Sequence, residues 1–155
     1  MDIVKLLTEK NLRIATAESC TGGLIAKLIT DRAGASMCFE CGFVTYSNEI
    51  KIRVLGVDAE IIEKYGAVSS QTAKQMCEGA RLKSGADIAL SVTGIAGPSG
   101  GSAQKPVGLV YIGICGDFGT DTKKYLFSGT RDEIRSQTAE KAIQIIHDYI
   151  VQYYN

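Results

Sequence analysis

The sequence predicts one three-layer α/β domain over residues 1–155: a mixed, mostly parallel sheet flanked by helices, with a β-hairpin in the second half. Three observations predict it. Strand-patterned segments alternate with segments of helical period toward both ends of the chain. Val107–Cys115 and Lys123–Phe127 are two strand-like runs joined by Gly116-Asp117-Phe118-Gly119, which reads as an antiparallel hairpin. The chain has 155 residues, 45% hydrophobic and 22% charged. That length suits one domain, which buries about 70% of the surface its unfolded chain exposes.

The elements follow in order. Residues 2–11 form a short helix with Ile3, Leu6 and Leu7 on one face. Arg13–Glu18 is a strand that runs directly into Ser19-Cys20-Thr21-Gly22-Gly23. A helix comes next, with Leu24, Ile25, Leu28 and Ile29 as its stripe and Gly34 near its stop. Phe39–Tyr46 is a second strand, rich in aromatic and β-branched residues. Asn48 has the character of an N-cap and opens a helix through Leu55. Asp58 begins a short helical piece that Gly66 ends, and Ser69 or Ser70 caps a helix to about Ser84. Ile88–Val92 is a buried strand entering the glycine-rich loop Gly94–Ser102. After the hairpin, Thr130 and Glu133 make a capping box. Ile134, Ala139, Ala142, Ile143, Ile146, Tyr149 and Ile150 then keep a helical period.

Composition excludes several classes of function. Seventeen basic and seventeen acidic side chains cancel. Nucleic-acid and membrane-surface binders show a basic excess, so neither partner is expected, although a local basic pocket stays open. The N-terminal segment lacks the apolar run of a signal peptide, and no stretch is long enough to span a bilayer. The five cysteines are odd in number and irregular in spacing. Cys38-Phe39-Glu40-Cys41 has no second pair and no spaced histidines, which suits reduced thiols in a cytoplasmic protein better than zinc.

The candidate chemistry begins at Ala17–Gly23. A strand turning through small residues into a helix exposes a side chain beside free N–H donors, where an oxyanion or phosphate can rest. Ser19, Cys20 and Thr21 are three nucleophile candidates there, and position alone equally suits a helix cap at Ser19 or Thr21. The single histidine, His147, lies near the end of the last helix. A Ser-His-Asp or Cys-His arrangement is therefore disfavoured, and a lysine or tyrosine must take the proton of an activated serine. Tyr46-Ser47-Asn48-Glu49-Ile50-Lys51 supplies both types. Burial and a helix N-terminus would each push Lys51 toward its neutral form. A solvated lysine and a core tyrosine fit the spacing as well. The loop Gly94–Ser102 holds four glycines, and it reads either as an anion nest or as a mobile surface loop. Lys105 and Arg131 could add positive charge.

Several segments together resemble one family. They are Thr16–Gly23, Gly42–Glu49 with Lys51, Gly66–Ser69, Gly94–Pro98 with Gly100-Gly101, Lys105–Gly108 and Phe127–Arg131. The chain resembles the C-terminal domain of the competence/damage-inducible protein CinA, in free-standing form, over nearly its whole length. The resemblance implies a nicotinamide-nucleotide amidase that converts nicotinamide mononucleotide to nicotinate mononucleotide and ammonia, in pyridine nucleotide salvage. It implies a serine, a tyrosine and a lysine working without metal or cofactor, on Ser19, Tyr46 and Lys51 by motif, and a homodimer.

As an expectation, Lys51 takes the Ser19 proton directly or through Tyr46, and Ser19 attacks the carboxamide carbon. Substrate is expected at Cys20, Thr21, Gly22, Gly23, Asn48, Gly94, Gly97, Gly100, Gly101, Lys105 and Arg131. The N–H groups of Cys20–Gly23 would hold the oxyanion, and the glycine loop with a basic side chain would hold the phosphate. The rivals are a nucleotide-binding competence or damage-related module without chemistry, an amidase of another carboxamide, and catalysis by Cys20.

Overall fold

The computed structural model describes residues 2–154. Asp2 caps α1 (Ile3–Glu9) by accepting from the Lys5 N–H. Strand β1 (Ile14–Glu18) is buried at every residue and turns into α2 (Leu24–Thr30). A 3₁₀ turn at Ala35–Met37 precedes β2 (Phe39–Val44). Helices α3 (Asn48–Leu55), α4 (Ala59–Tyr65) and α5 (Ser70–Ser84) come next. Strands β3 (Ile88–Gly94), β4 (Leu109–Gly116) and β5 (Gly119–Leu126) lead to the long α6 (Arg131–Tyr153).

The five strands lie in the order β2-β1-β3-β4-β5. β1 runs parallel to both β2 and β3, while β4 runs antiparallel to β3 and β5. The sheet is mixed, as the sequence predicts, with two pairs of each kind. Helices α1, α2 and α6 cover one face, and α3, α4 and α5 the other, giving three layers.

Because strand side chains alternate, each face takes every second residue. Ile14, Ile88, Leu90, Val92, Val110, Ile112 and Ile114 fill the face under α1, α2 and α6. The opposite face carries Ala15, Ala17, Ala89, Ser91 and Gly113, and α5 comes down close on these small residues. The Ser91 hydroxyl donates to the Ala73 carbonyl of α5 at 2.5 Å. A side chain at Gly113 would strike that same carbonyl.

Several boundaries differ from expectation. Ser47, not Asn48, caps α3: its extended backbone lets its hydroxyl accept from the Ile50 N–H at 3.2 Å, and Asn48 is already helical. β2 stops at Val44 rather than Tyr46, because its ladder ends where β1 ends, at the Glu18–Val44 pair. β3 continues to Gly94, paired with Val110 of β4, and the hairpin tightens to a two-residue turn at Asp117-Phe118. Ser69 rather than Ser70 caps α5, and the Thr130–Glu133 capping box forms as expected. Among the described residues no helix is long and apolar enough to cross a membrane.

Candidate functional site

The chain leaves the C-terminal ends of β1, β2 and β3 side by side. The segments after β1 and β2 feed helices on opposite faces of the sheet, the kind of switch point at which open α/β sheets bind ligands. A cleft of about 220 Å³ lies there. Ser19 and Cys20 line it from the first segment, Tyr46, Asn48 and Lys51 from the second, and Thr93, Gly94 and Ala96 from the third. Ala67, Val68 and Arg131 complete its wall.

The turn after β1 is held from two sides. Glu18 is fully buried, and its two carboxyl oxygens accept from the N–H groups of Ile25 and Ala26 at 2.9 and 3.0 Å. These are first-turn donors of α2, which an incoming anion would otherwise use. Arg135 of α6 donates from Nε to the Cys20 carbonyl at 3.2 Å and from Nη2 to the Thr21 carbonyl at 2.9 Å. The Ser19 N–H donates to the Val92 carbonyl, continuing the sheet past the end of β1.

Lys51 crosses from the second turn to the first. It is 1% exposed, and its Nζ lies 3.0 Å from Ser19 Oγ, 2.8 Å from the Thr45 carbonyl and 3.1 Å from the Tyr46 carbonyl. Among the described residues no carboxylate forms an ion pair with it. Burial therefore lowers its pKa from 10.5 to about 8. A neutral amine has two N–H donors and one lone pair. As an ammonium Nζ donates to all three oxygens; once neutral, with its two donors on the carbonyls, its lone pair is left to accept from the Ser19 hydroxyl.

Cys20 shows the opposite tendency. Burial pushes its thiol up to about 11, so it stays protonated, which argues against a thiolate nucleophile. Tyr46 is 62% exposed, and its hydroxyl meets Arg131 Nη2 at 3.3 Å rather than Ser19 or Lys51. Its backbone carbonyl, not its phenol, touches the lysine.

The residues expected to bind substrate divide. Cys20, Asn48, Gly94 and Arg131 line the cleft with Ser19, Tyr46 and Lys51; Thr21, Gly22, Gly23, Gly97, Gly100, Gly101 and Lys105 do not. A side chain at Gly97 would strike Val107, and one at Gly101 would lie 2.8 Å from the Val107 N–H. Both glycines thus let the loop fold on itself. Lys105 donates to the Tyr65 carbonyl, over Gly66. Arg131 is the cation of the cleft wall, with Nη1 on the Gly97 carbonyl at 2.7 Å. His147 lies on α6 beside Asp148 and is not part of the cleft. Among the described residues no group of three or more His, Cys, Asp or Glu side chains is placed to hold a metal ion.

Sequence reasoning passed over Glu18, Arg135 and Thr93. Glu18 stood inside the motif, and an acid buried at the end of a strand was its signal. Thr93 donates to the Ala67 carbonyl at 2.8 Å and ties together two parts of the cleft wall. Arg135 carried no local signal, since it reaches the turn across more than a hundred residues of sequence.

Fold and cleft together define a small α/β domain with a serine–lysine pair at the C-terminal edge of its parallel strands. The chain belongs to the CinA C-terminal domain family, whose model matches residues 1–150. It is 53% identical to a CinA-like protein of Geobacter sulfurreducens, over 91% of this chain and 34% of that protein. Its structure is similar to that of the competence/damage inducible protein CihA from Agrobacterium tumefaciens, with a TM-score of 0.91 and 44% identity, covering 96% of this chain and 95% of that one. A competence-damaged protein (CinA) superfamily protein from Klebsiella pneumoniae matches with a TM-score of 0.94 and 31% identity, over 98% and 95% of the two chains. The chain spans little more than a third of the length of the curated relatives it matches.

Proposed function

We propose that this cleft hydrolyses the carboxamide of nicotinamide mononucleotide, releasing nicotinate mononucleotide and ammonia. The observation that carries the reading is the buried Lys51 amine, 3.0 Å from the Ser19 hydroxyl with its pKa lowered to about 8. Such a pair is an activated nucleophile and its base.

In the proposed reaction Ser19 Oγ attacks the amide carbon and its proton passes to Lys51 Nζ. The C–N bond then breaks, and Lys51 returns the proton to the leaving nitrogen, which departs as ammonia. Lys51 next takes a proton from water as the oxygen attacks the acyl-serine; the C–O bond to Ser19 then breaks, Lys51 returns that proton to Ser19 Oγ, and the acid leaves with both groups restored. The direct Lys51–Ser19 contact favours this route over a relay through the Tyr46 phenol, whose proposed part is at the mouth with Arg131.

The cleft is smaller than the roughly 300–1,000 Å³ of typical ligand sites, at about 220 Å³. The proposal therefore seats the carboxamide and ring inside and the phosphoribosyl end at the mouth. Asn48 and Arg131 stand there, and a second copy of the chain in a homodimer would close over it. Arg131 keeps guanidinium donors free for a phosphate after serving Gly97 and Tyr46.

The test is product identification after incubation with nicotinamide mononucleotide, wild type beside Ser19→Ala. Equal amounts of nicotinate mononucleotide and ammonia are expected from the wild type and neither from the variant; equal turnover by both would sink the reading. Binding without ammonia would leave a nucleotide-binding module. Equal efficiency on nicotinamide riboside would remove the phosphate from the recognition.

A further inference from the structure

The Ser19 turn contains two chains of hydrogen bonds, and both begin at one guanidinium. Arg135 Nε donates to the Cys20 carbonyl, and the N–H of that peptide unit belongs to Thr21. Arg135 Nη2 joins the Leu24 N–H in donating to the Thr21 carbonyl, at 2.9 and 3.1 Å, and the N–H of that unit, on Gly22, donates to the Ser19 carbonyl at 3.1 Å. The Ser19 carbonyl shares its peptide unit with the Cys20 N–H. The chains therefore end on the N–H groups of Thr21 and Cys20. Among the described residues, neither donates to another residue's oxygen.

Two consequences follow. A trans peptide points its C=O and N–H in opposite directions. Pinning the Cys20 and Thr21 carbonyls toward α6 thus fixes which way the N–H of each unit points. A peptide whose carbonyl accepts from a cation is also polarised, and the effect passes along a hydrogen-bonded chain. The N–H after a nucleophile at a strand-to-helix turn is the usual oxyanion donor. The fit is close: a Cβ built on Gly22 would lie 3.4 Å from Arg135 Nη2. Lysine, a single point charge, cannot span both carbonyls as the planar fork does.

We infer that Arg135 is a positioning residue for the reaction. Through the second chain it orients and polarises the N–H of Cys20, which lines the cleft and receives the oxyanion formed at Ser19, while the first chain holds the buried Thr21 unit beside it. The inference rests on the hydrolase reading above, because it requires an attack by Ser19. It does not depend on which amide is the substrate.

A fluorophosphonate probe separates the two. Its reaction with Ser19 places negative charge on a phosphoryl oxygen in the transition state and needs no carboxamide recognition. The full-length protein is labelled and the rate followed by mass spectrometry, with the pH dependence and the urea midpoint measured on the same samples. Arg135→Ala should label about 10- to 100-fold more slowly, a part of the loss typical for an oxyanion donor. Arg135→Lys should fall between the variant and the wild type. The pH inflection near 8 should stay in place, because Lys51 is untouched. Labelling of Arg135→Ala within twofold of wild type would overturn the inference. So would a wild-type Ser19 that resists the probe, or a slower rate accompanied by a displaced inflection, which would mean that the base had moved instead. If Arg135→Ala does not fold, Arg135→Lys decides: full wild-type labelling by it would remove the two-carbonyl grip. Normal labelling with no hydrolysis of nicotinamide mononucleotide would defeat the substrate assignment and leave this inference standing.

Discussion

The two faces of the sheet are built on different terms. Under α1, α2 and α6 the strands present isoleucine, leucine and valine, and the helices ride on branched side chains. Under α5 they present alanine, serine and glycine, and backbone approaches backbone. The nucleophile turn joins the first layer, since Cys20, Ile25 and Ile29 belong to its core. The base belongs to the second, since Leu55 at the end of α3 packs among Ala80, Met76 and Cys77. The Ser19–Lys51 distance is therefore set by two independently packed layers meeting over the ends of β1 and β2. The second layer has less room for adjustment, because its contacts are backbone contacts.

That contrast can be broken first at the meeting point itself. Lys51→Ala should lower amide turnover by at least about 10³-fold while the fold survives, as for other members of a nucleophile–base unit. Lys51→Arg should not restore it, because guanidinium does not give up a proton. Turnover within tenfold of wild type in either variant would show that the layers need not meet for chemistry.

The next test is pH. With Lys51 as base at a pKa of about 8, turnover should rise roughly tenfold per pH unit below that point and level off above it. A profile flat from pH 6 to 9 would remove Lys51 from the role. Stability carries a matching sign. The folded value lies below the ordinary 10.5, so the cost of burying the ammonium is fully present below about pH 8. It relaxes as pH rises from 8 toward 10.5.

Gly79→Ala sharpens the comparison on the crowded face. A Cβ there would strike the Leu55 carbonyl at the end of α3. A loss of about 3 kcal/mol in urea unfolding is expected, the upper part of the usual overpacking range. Lys51 should move with α3, so turnover should fall too. Unchanged stability would mean that this layer yields as readily as the other. The smallest effect is expected from Tyr46→Phe: about a threefold loss in kcat/KM, with the pH inflection unmoved, because the phenol contacts Arg131 and not the serine or lysine. A hundredfold loss would restore it to the proton path.

The sequence made the layered fold legible because periodicity and caps are local: the Thr130–Glu133 box and the strand-turn-helix around Ser19 are written in consecutive residues. The lone histidine on the last helix left lysine or tyrosine as the base, but the choice of Ser19 and Lys51 came from the family resemblance, since three nucleophile candidates and a solvated lysine fitted the residues as well. What remained hidden was direction. Gly97, Gly101 and Lys105 have the composition of an anion site, yet Val107 and the Tyr65 carbonyl claim them. Tyr46 has the right position for a relay, but its side chain turns out toward solvent. Arg135 acts across 115 residues, and no local pattern encodes such a reach.

Glu18 carries one more consequence, for how the molecule opens. A seven-residue helix is too short to persist alone in water. Both oxygens of the fully buried Glu18 at the end of β1 hold the first turn of α2, so the helix and this interior strand form and come apart as one unit. The amide protons of Ile25 and Ala26 should then exchange with deuterium only on the timescale of global unfolding, although one edge of α2 faces water. A serine at such a junction does not fray: its surroundings are either complete or lost with the whole domain.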